Sequence, residues 1–286
     1  MHRRNFIKAG TLGIMTMQLK DLNNTFTEEQ EVVQPAMFVG HGNPMNAIED
    51  NAFSKSWAEQ GKLVPVPKAI LCVSAHWLTR GTRVAAIEKP PTIHDFGGFP
   101  QALFDVQYPA PGSPEMARLT KELITKTQVE LDVEWGLDHG CWSVLNKMFP
   151  AADIPVYQLS IDYYQTPQYH YELAQFLKSL RKKGVMIMGS GNIVHNLGLF
   201  NMTDTAYDWA IEFDAKIKGF IEKGDHQSIL DYKSLGQSAT LSVPTPDHYF
   251  PLIYALGVME STEHVRFFNE KTTAGSISMR SFVTTT

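Results

Sequence analysis

Three short apolar runs in this chain, AMFVG, AILCVSA and VMIMGSGNIV, each close on a histidine, at His41, His76 and His195. Runs of that length between turn residues read as buried strands, and the strands of an open α/β sheet gather their ligands outside the carboxyl ends. A fourth imidazole, His248, lies in the proline-punctuated loop PTPDHYFPL, which can swing it to the same crevice. The chain is therefore constrained to a sheet whose strand ends share one site. Four imidazoles at one edge point to a metal.

The rest of the pattern fits that frame. Strands are expected at residues 36–39, 69–74, 83–87, 155–160, 185–188, 265–269 and 276–282. Between them lie helical patterns. One covers 114–126, with Ser113 as cap and Pro114 in its first turn; another covers 169–182 and stops at Gly184; a third covers 205–222, after a candidate cap at Asp204 and before Gly224. Strands alternating with helices predict one α/β domain with a mostly parallel central sheet, helices on its faces and the metal site at the strand C-terminal ends. With 286 residues, 43% of them hydrophobic, a single large core is expected.

Residues 1–34 stand apart as a signal-like segment and linker, leaving 35–286 for the folded domain. Arg3 and Arg4, followed by Phe6, Lys8 and a short apolar stretch, resemble a twin-arginine export signal, so a periplasmic location is expected, with the cytoplasm as the alternative. The stretch is too short to span a bilayer, and no stable membrane anchor is expected.

Net charge is −5, with both signs scattered, so there is no electrostatic footprint for nucleic acid. Cys72 and Cys141 are the only cysteines. Two thiols are too few for a disulfide framework or a thiolate zinc site, so nitrogen and oxygen must hold any metal.

The remaining histidines divide by context. His41 sits in GHGNPMN, where flanking glycines and Pro44 let the chain bend inward; His76 ends SAHW, where Trp77 could wall a pocket. The GSGN turn before His195 superficially resembles a phosphate cradle but lacks the full dinucleotide pattern. His139 in GLDHGCW has Asp138 beside it as a candidate orienting carboxylate. His94 and Asp95 belong to TIHDFGGFP, readable as a mobile aromatic lid or as a surface loop with buried phenylalanines. His2, His170, His226 and His264 have tail or helix-surface contexts and are expected to be solvated.

GHGNPMN, SAHW, HDFGGFP, GLDHGCW followed by DIPVYQLSID, GSGNIVHNL and TPDHYFPL, in this order, resemble the 4,5-DOPA extradiol dioxygenase family, part of the class III extradiol ring-cleavage enzymes. The likeness runs from about Met37 to the C-terminus. It implies metal-binding histidines at His41, His76 and His248. His195 matches either a fourth ligand or an acid/base group, and His139 a substrate-pocket histidine assisting proton transfer. Better-known class III sites use two histidines and a carboxylate; here the third ligand is His248, with Asp247 as a less favoured substitute.

The implied reaction inserts both atoms of O2 into a catechol, DOPA-like ring beside its hydroxyls, with Fe(II) as the active metal and Zn(II) as the ion expected in isolated protein. Histidine's ordinary pKa suits the base that deprotonates a catechol. Two alternatives use the same fold: a zinc hydrolase on the same histidines, and a non-catalytic binding protein. Arg80, Arg83, Lys89 and Arg118 are equivalent candidates for holding an amino-acid tail on the ring. The oligomeric state is not readable from the sequence.

Overall fold

A computed structural model describes residues 32–285. The twin-arginine motif at Arg3 and Arg4, His2 and most of the proposed linker lie outside the described residues.

The central sheet has six strands: β1 (Ala36–Gly40), β2 (Ala69–Ser74), β3 (Val156–Gln158), β4 (Val185–Gly191), β5 (His264–Phe268) and β6 (Ser281–Thr285). Their order is β3-β2-β4-β1-β6-β5. The first four run parallel; β6 lies antiparallel to β1, and β5 antiparallel to β6. Strands β1, β2 and β4 are buried at every position, which is why they read as continuous apolar runs.

Helices cover both faces. Among them are α1 (Ala52–Leu63), α2 (Pro114–Leu123), α3 (His139–Met148), α4 (Pro167–Gln175), α5 (Asp208–Lys223) and α6 (Phe250–Gly257). One apolar cluster joins Phe38, Leu71 and Ile187 to Leu252 and Leu256 of α6, while the opposite face packs Met37, Ile70 and Met186 against Trp57 of α1 and Trp142 of α3. No helix among the described residues is long and apolar enough to cross a membrane.

Several expected boundaries move for identifiable reasons. Ser113 caps α2, accepting from the Met116 N–H, but the helix ends at Leu123. The pattern at 169–182 splits after Gln175 into α4 and a short turn of helix, Lys178–Lys182. Asp204 does not cap α5; its carboxylate holds Lys271 and Thr273, and the helix starts after Tyr207. The expected strand at 83–87 is Thr82–Ala85 and leaves the central sheet, pairing instead with Val129–Asp132. The C-terminal run at 276–282 is interrupted, forming Ile277–Ser278 and then β6.

The register sets the site. Gly40 of β1 pairs with Gly191 of β4, and Ser74 of β2 pairs with Ser190 on the other side. His41 and His76 follow those positions by one and two residues. They emerge on either side of the central strand at one level.

A candidate metal centre at the strand ends

Three imidazoles form a near-equilateral triangle, with ring centroids 5.1 Å apart for His41 and His76, 5.2 Å for His41 and His248, and 5.0 Å for His76 and His248. His41 and His76 come from the sheet edge, whereas His248 arrives on the loop before α6. That loop lies directly on β4: the Asn192 N–H donates to the His248 carbonyl at 2.8 Å, and a Cβ at Gly191 would stand 2.2 Å from that same oxygen. The glycines of GSGN therefore serve close packing of the His248 loop. The phosphate-cradle likeness is incidental.

Hydrogen bonds fix which nitrogen each ring offers. His41 Nδ1 lies 3.0 Å from Ser190 Oγ, whose own proton goes to the Gly140 carbonyl at 2.5 Å. Ser190 must then accept, so Nδ1 of His41 carries the hydrogen and Nε2 keeps its lone pair. His248 Nδ1 is hydrogen-bonded to the Asp247 carboxylate, which can only accept, leaving Nε2 free there also. His76 Nδ1 stands 3.2 Å from Asp95 Oδ2, and its Nε2 is 3.2 Å from Nε2 of His41.

These rings are held neutral. Burial, reinforced by the neighbouring imidazoles, pushes His41 and His248 well below the ordinary histidine value. Burial first, then His139, lowers His76 to about 3, although Asp95 and Asp247 pull the other way. Two neutral rings with both Nδ1 positions directed at oxygen acceptors face each other through lone pairs, a repulsive arrangement that a cation between them reverses. Metal–imidazole bonds of about 2.0–2.1 Å place two nitrogens roughly 3 Å apart, so the donor set fits a metal held by nitrogen.

The other two predicted histidines adjoin the triangle. The His195 ring stacks on His248, with centroids 3.5 Å apart and planes within 6°. Parallel stacked rings direct their in-plane lone pairs along near-parallel lines. Burial lowers His195 to about 4, with Asp247 opposing. His139, the first residue of α3, lies 3.9 Å from His76 and 5.6 Å from His41 between ring centroids. By proximity of donor atoms, two groups could hold an ion: His41, His76 and His139, and His195, Asp247 and His248.

The carboxylate that reaches His139 is not Asp138. Asp138 is buried and caps α3, accepting from Cys141 N–H, Ser74 Oγ and Gln158 Nε2, and burial pushes its carboxyl up. Asp95 instead accepts the His139 backbone N–H at 2.9 Å, and its Oδ2 stands 3.0 Å from His139 Nδ1 without the N–H aligned on it. Burial would raise Asp95, but His139 and His76 outweigh it and hold the carboxyl at about 2. Asp95 thus anchors the HDFGGFP loop over the site, and Phe96 packs edge-on against His139 at 5.5 Å. Sequence reasoning had Asp95 only as a loop residue; its partners lie 44 positions on and 19 back.

Other expectations are corrected. Trp77 stacks on Trp135 at 5.3 Å and does not wall the cavity. His170 is fully buried on α4, bonded through Nδ1 to Tyr254 Oη at 2.9 Å, and His226 is half-buried against Tyr171. His264 is exposed as expected. The missed wall of the cavity comes from Thr273, Ala274, Ile277 and Met279 near the C-terminus.

The depressed histidines predict an acid sensitivity. Below pH about 6.5 the unfolded chain takes up protons that native His195 refuses down to about 4 and native His76 down to about 3. The unfolded state then binds more protons, so stability falls as pH falls through that window. The melting temperature of metal-free protein is expected to decline steadily from pH 7 to pH 5; a flat profile would show that these rings are not buried neutral.

Taken together, fold and site define a single-domain α/β protein with a cluster of histidines that could hold a metal at the carboxyl edge of its parallel strands. The model of the family described as the catalytic LigB subunit of aromatic ring-opening dioxygenase matches residues 34–280, and the chain belongs to that family. It is 46% identical over 276 residues to an Escherichia coli (strain K12) protein named 4,5-DOPA dioxygenase extradiol, covering 93% of this chain and 98% of that one. A Beta vulgaris protein of the same name is 35% identical over 88% of this chain and 97% of its own length. The crystal structure of an uncharacterized protein from Escherichia coli K12 superposes with a TM-score of 0.77 at 42% identity, covering 87% of this chain and 99% of that one.

Proposed function

We propose that this dioxygenase opens a catechol ring beside its two hydroxyls, at a non-haem metal held by Nε2 of His41, His76 and His248. The triangle of ring centroids about 5 Å apart, at the floor of one cavity, supports this reading. When bound, Fe(II) supplies the redox link between catechol and dioxygen, a spin-forbidden pairing without it. Zinc binds nitrogen sites more tightly than Fe(II), so purified protein is expected to carry zinc and to be inactive in this reaction.

The chain's own residues handle protons and position. His195, neutral and stacked beside His248, is placed to take a catechol proton. His139, steadied by Asp95, is placed to return a proton to the opening ring. Phe96 and Phe99 line the cavity with apolar surface. The names of the relatives make DOPA the first catechol to try. Export through the twin-arginine route, which carries folded and metal-loaded proteins, is part of the same proposal and rests on Arg3 and Arg4.

The test is anaerobic reconstitution with Fe(II), then with Zn(II), followed by air and a catechol panel. Oxygen uptake with a yellow ring-opened product is expected from the iron form alone. Equal turnover by the zinc form, or no turnover by either, would overturn the proposal.

A further inference from the structure

Resting on that reading, we infer that Asp95 is a positioning residue for two steps at once: its carboxylate orients both the metal ligand His76 and the proton carrier His139, which makes the HDFGGFP loop part of the metal centre. Each of the three ligand rings has an oxygen beside its Nδ1. For His41 it is Ser190 Oγ, near the end of β4, and for His248 it is the carboxylate next to it in the chain, Asp247. For His76 it is Asp95 Oδ2 at 3.2 Å, and the same oxygen stands 3.0 Å from Nδ1 of His139. Among the described residues, only Asp95 is within ion-pair reach of two imidazoles. Its other oxygen is used as well, since Oδ1 accepts the backbone N–H of His139 at 2.9 Å. Three nitrogens thus meet one carboxylate from two sides, and a group that only accepts favours hydrogen on Nδ1 of both rings. Nε2 of His76 is then left for the metal, and Nε2 of His139 for proton exchange.

The loop around Asp95 is built to hold that carboxylate in place. On its N-terminal side the Ile93 N–H donates to the Leu137 carbonyl at 2.7 Å, and the Ile93 carbonyl accepts from Trp142 Nε1 of α3 at 2.8 Å. His94 Nε2 lies 3.0 Å from the Val106 carbonyl oxygen. On its C-terminal side Phe96 packs against Phe99 and Phe104, with ring centroids 5.3 and 5.1 Å away, before the chain turns at Gly98 with φ +78°. Asp95 and His139 are therefore tied to the same helix. An oxygen pinned in this way narrows the arc through which the His76 ring can swing, and a ligand already ordered loses less entropy when it binds.

Two variants separate this role from a merely structural one. Asp95→Asn keeps the shape, but an amide offers one oxygen and one NH2, so either the His139 N–H or the two ring nitrogens must face a donor. Asp95→Ala leaves a gap that formate can fill, because Asp95 lines the open cavity. Zinc affinity is read by competition with a chelator, and the position of the hydrogen on His139 by NMR of the ring nitrogens in zinc-loaded protein; neither readout needs turnover. Both variants are expected to bind zinc about 10–100-fold more weakly than the wild type and, per bound iron, to lose kcat by about tenfold or more with little change in KM. The wild-type His139 ring should carry its hydrogen on Nδ1, and both variants should show a mixture. Formate at constant ionic strength should restore zinc affinity to Asp95→Ala and leave the wild type and Asp95→Asn unmoved. An Asp95→Asn protein that holds zinc as tightly as the wild type, a wild-type His139 with its hydrogen on Nε2, or an Asp95→Ala defect that formate does not relieve would overturn the inference while leaving ring opening intact. An iron form that opens no catechol would instead sink the proposed function and leave the zinc measurements standing.

Discussion

Alanine at His41, at His76 or at His248 is expected to leave a folded protein that no longer keeps its metal through dialysis and opens catechols at the background rate. Groups that merely orient a metal-bound histidine are worth about 10–100-fold in affinity, so loss of the ligand itself should exceed that range. Folding should survive because β1, β2 and α6 are anchored by the two apolar clusters on either side of the sheet, not by the imidazoles. Elemental analysis after dialysis, with circular dichroism as a control for folding, checks each variant. Full occupancy in any one of them removes that residue from the ligand set.

The second large effect separates ligand from proton carrier. His195→Gln and His139→Gln keep polar side chains of similar reach but cannot titrate, so turnover is expected to fall by about two to four orders of magnitude with metal retained. For His195 the retained metal is the discriminating half of the result. If the ring stacked flat on His248 is a proton carrier, as proposed, removing it should lower kcat and leave occupancy alone. Metal loss from His195→Gln would make it a fourth ligand after all, and unchanged turnover in both variants would leave the reaction without its proposed proton carriers.

Much of this arrangement is legible in the sequence, for a physical reason. Fully buried parallel strands must be continuous apolar runs, and a histidine immediately after such a run can only emerge at the sheet edge, so His41, His76 and His195 were placed by pattern alone. Helices α3 and α6 were not anticipated because α6 is buried at every position and α3 at eight of ten, leaving little polar face to give a helical period. The short pair Thr82–Ala85 and Val129–Asp132 depends on a partner far along the chain and carries no local signal that it leaves the central sheet. Asp138 beside His139 was the natural orienting carboxylate by adjacency, but a residue that caps a helix turns its side chain to the helix N–H groups. The role fell to Asp95, which only tertiary folding brings near. The same holds for the apolar wall: Leu197 and Phe200 read as ordinary loop residues until the cavity places them at its rim.

Dioxygen, and not water, is expected to supply the oxygen atoms that open the ring at this histidine site. Turning over DOPA with iron-reconstituted protein under isotopically labelled O2, quenching early and reading the product by mass spectrometry is the test. Both labelled atoms are expected in the ring-opened product, with one O2 consumed per catechol. A product with oxygen drawn from water, or labelled O2 recovered only as hydrogen peroxide or an unopened quinone, would contradict it.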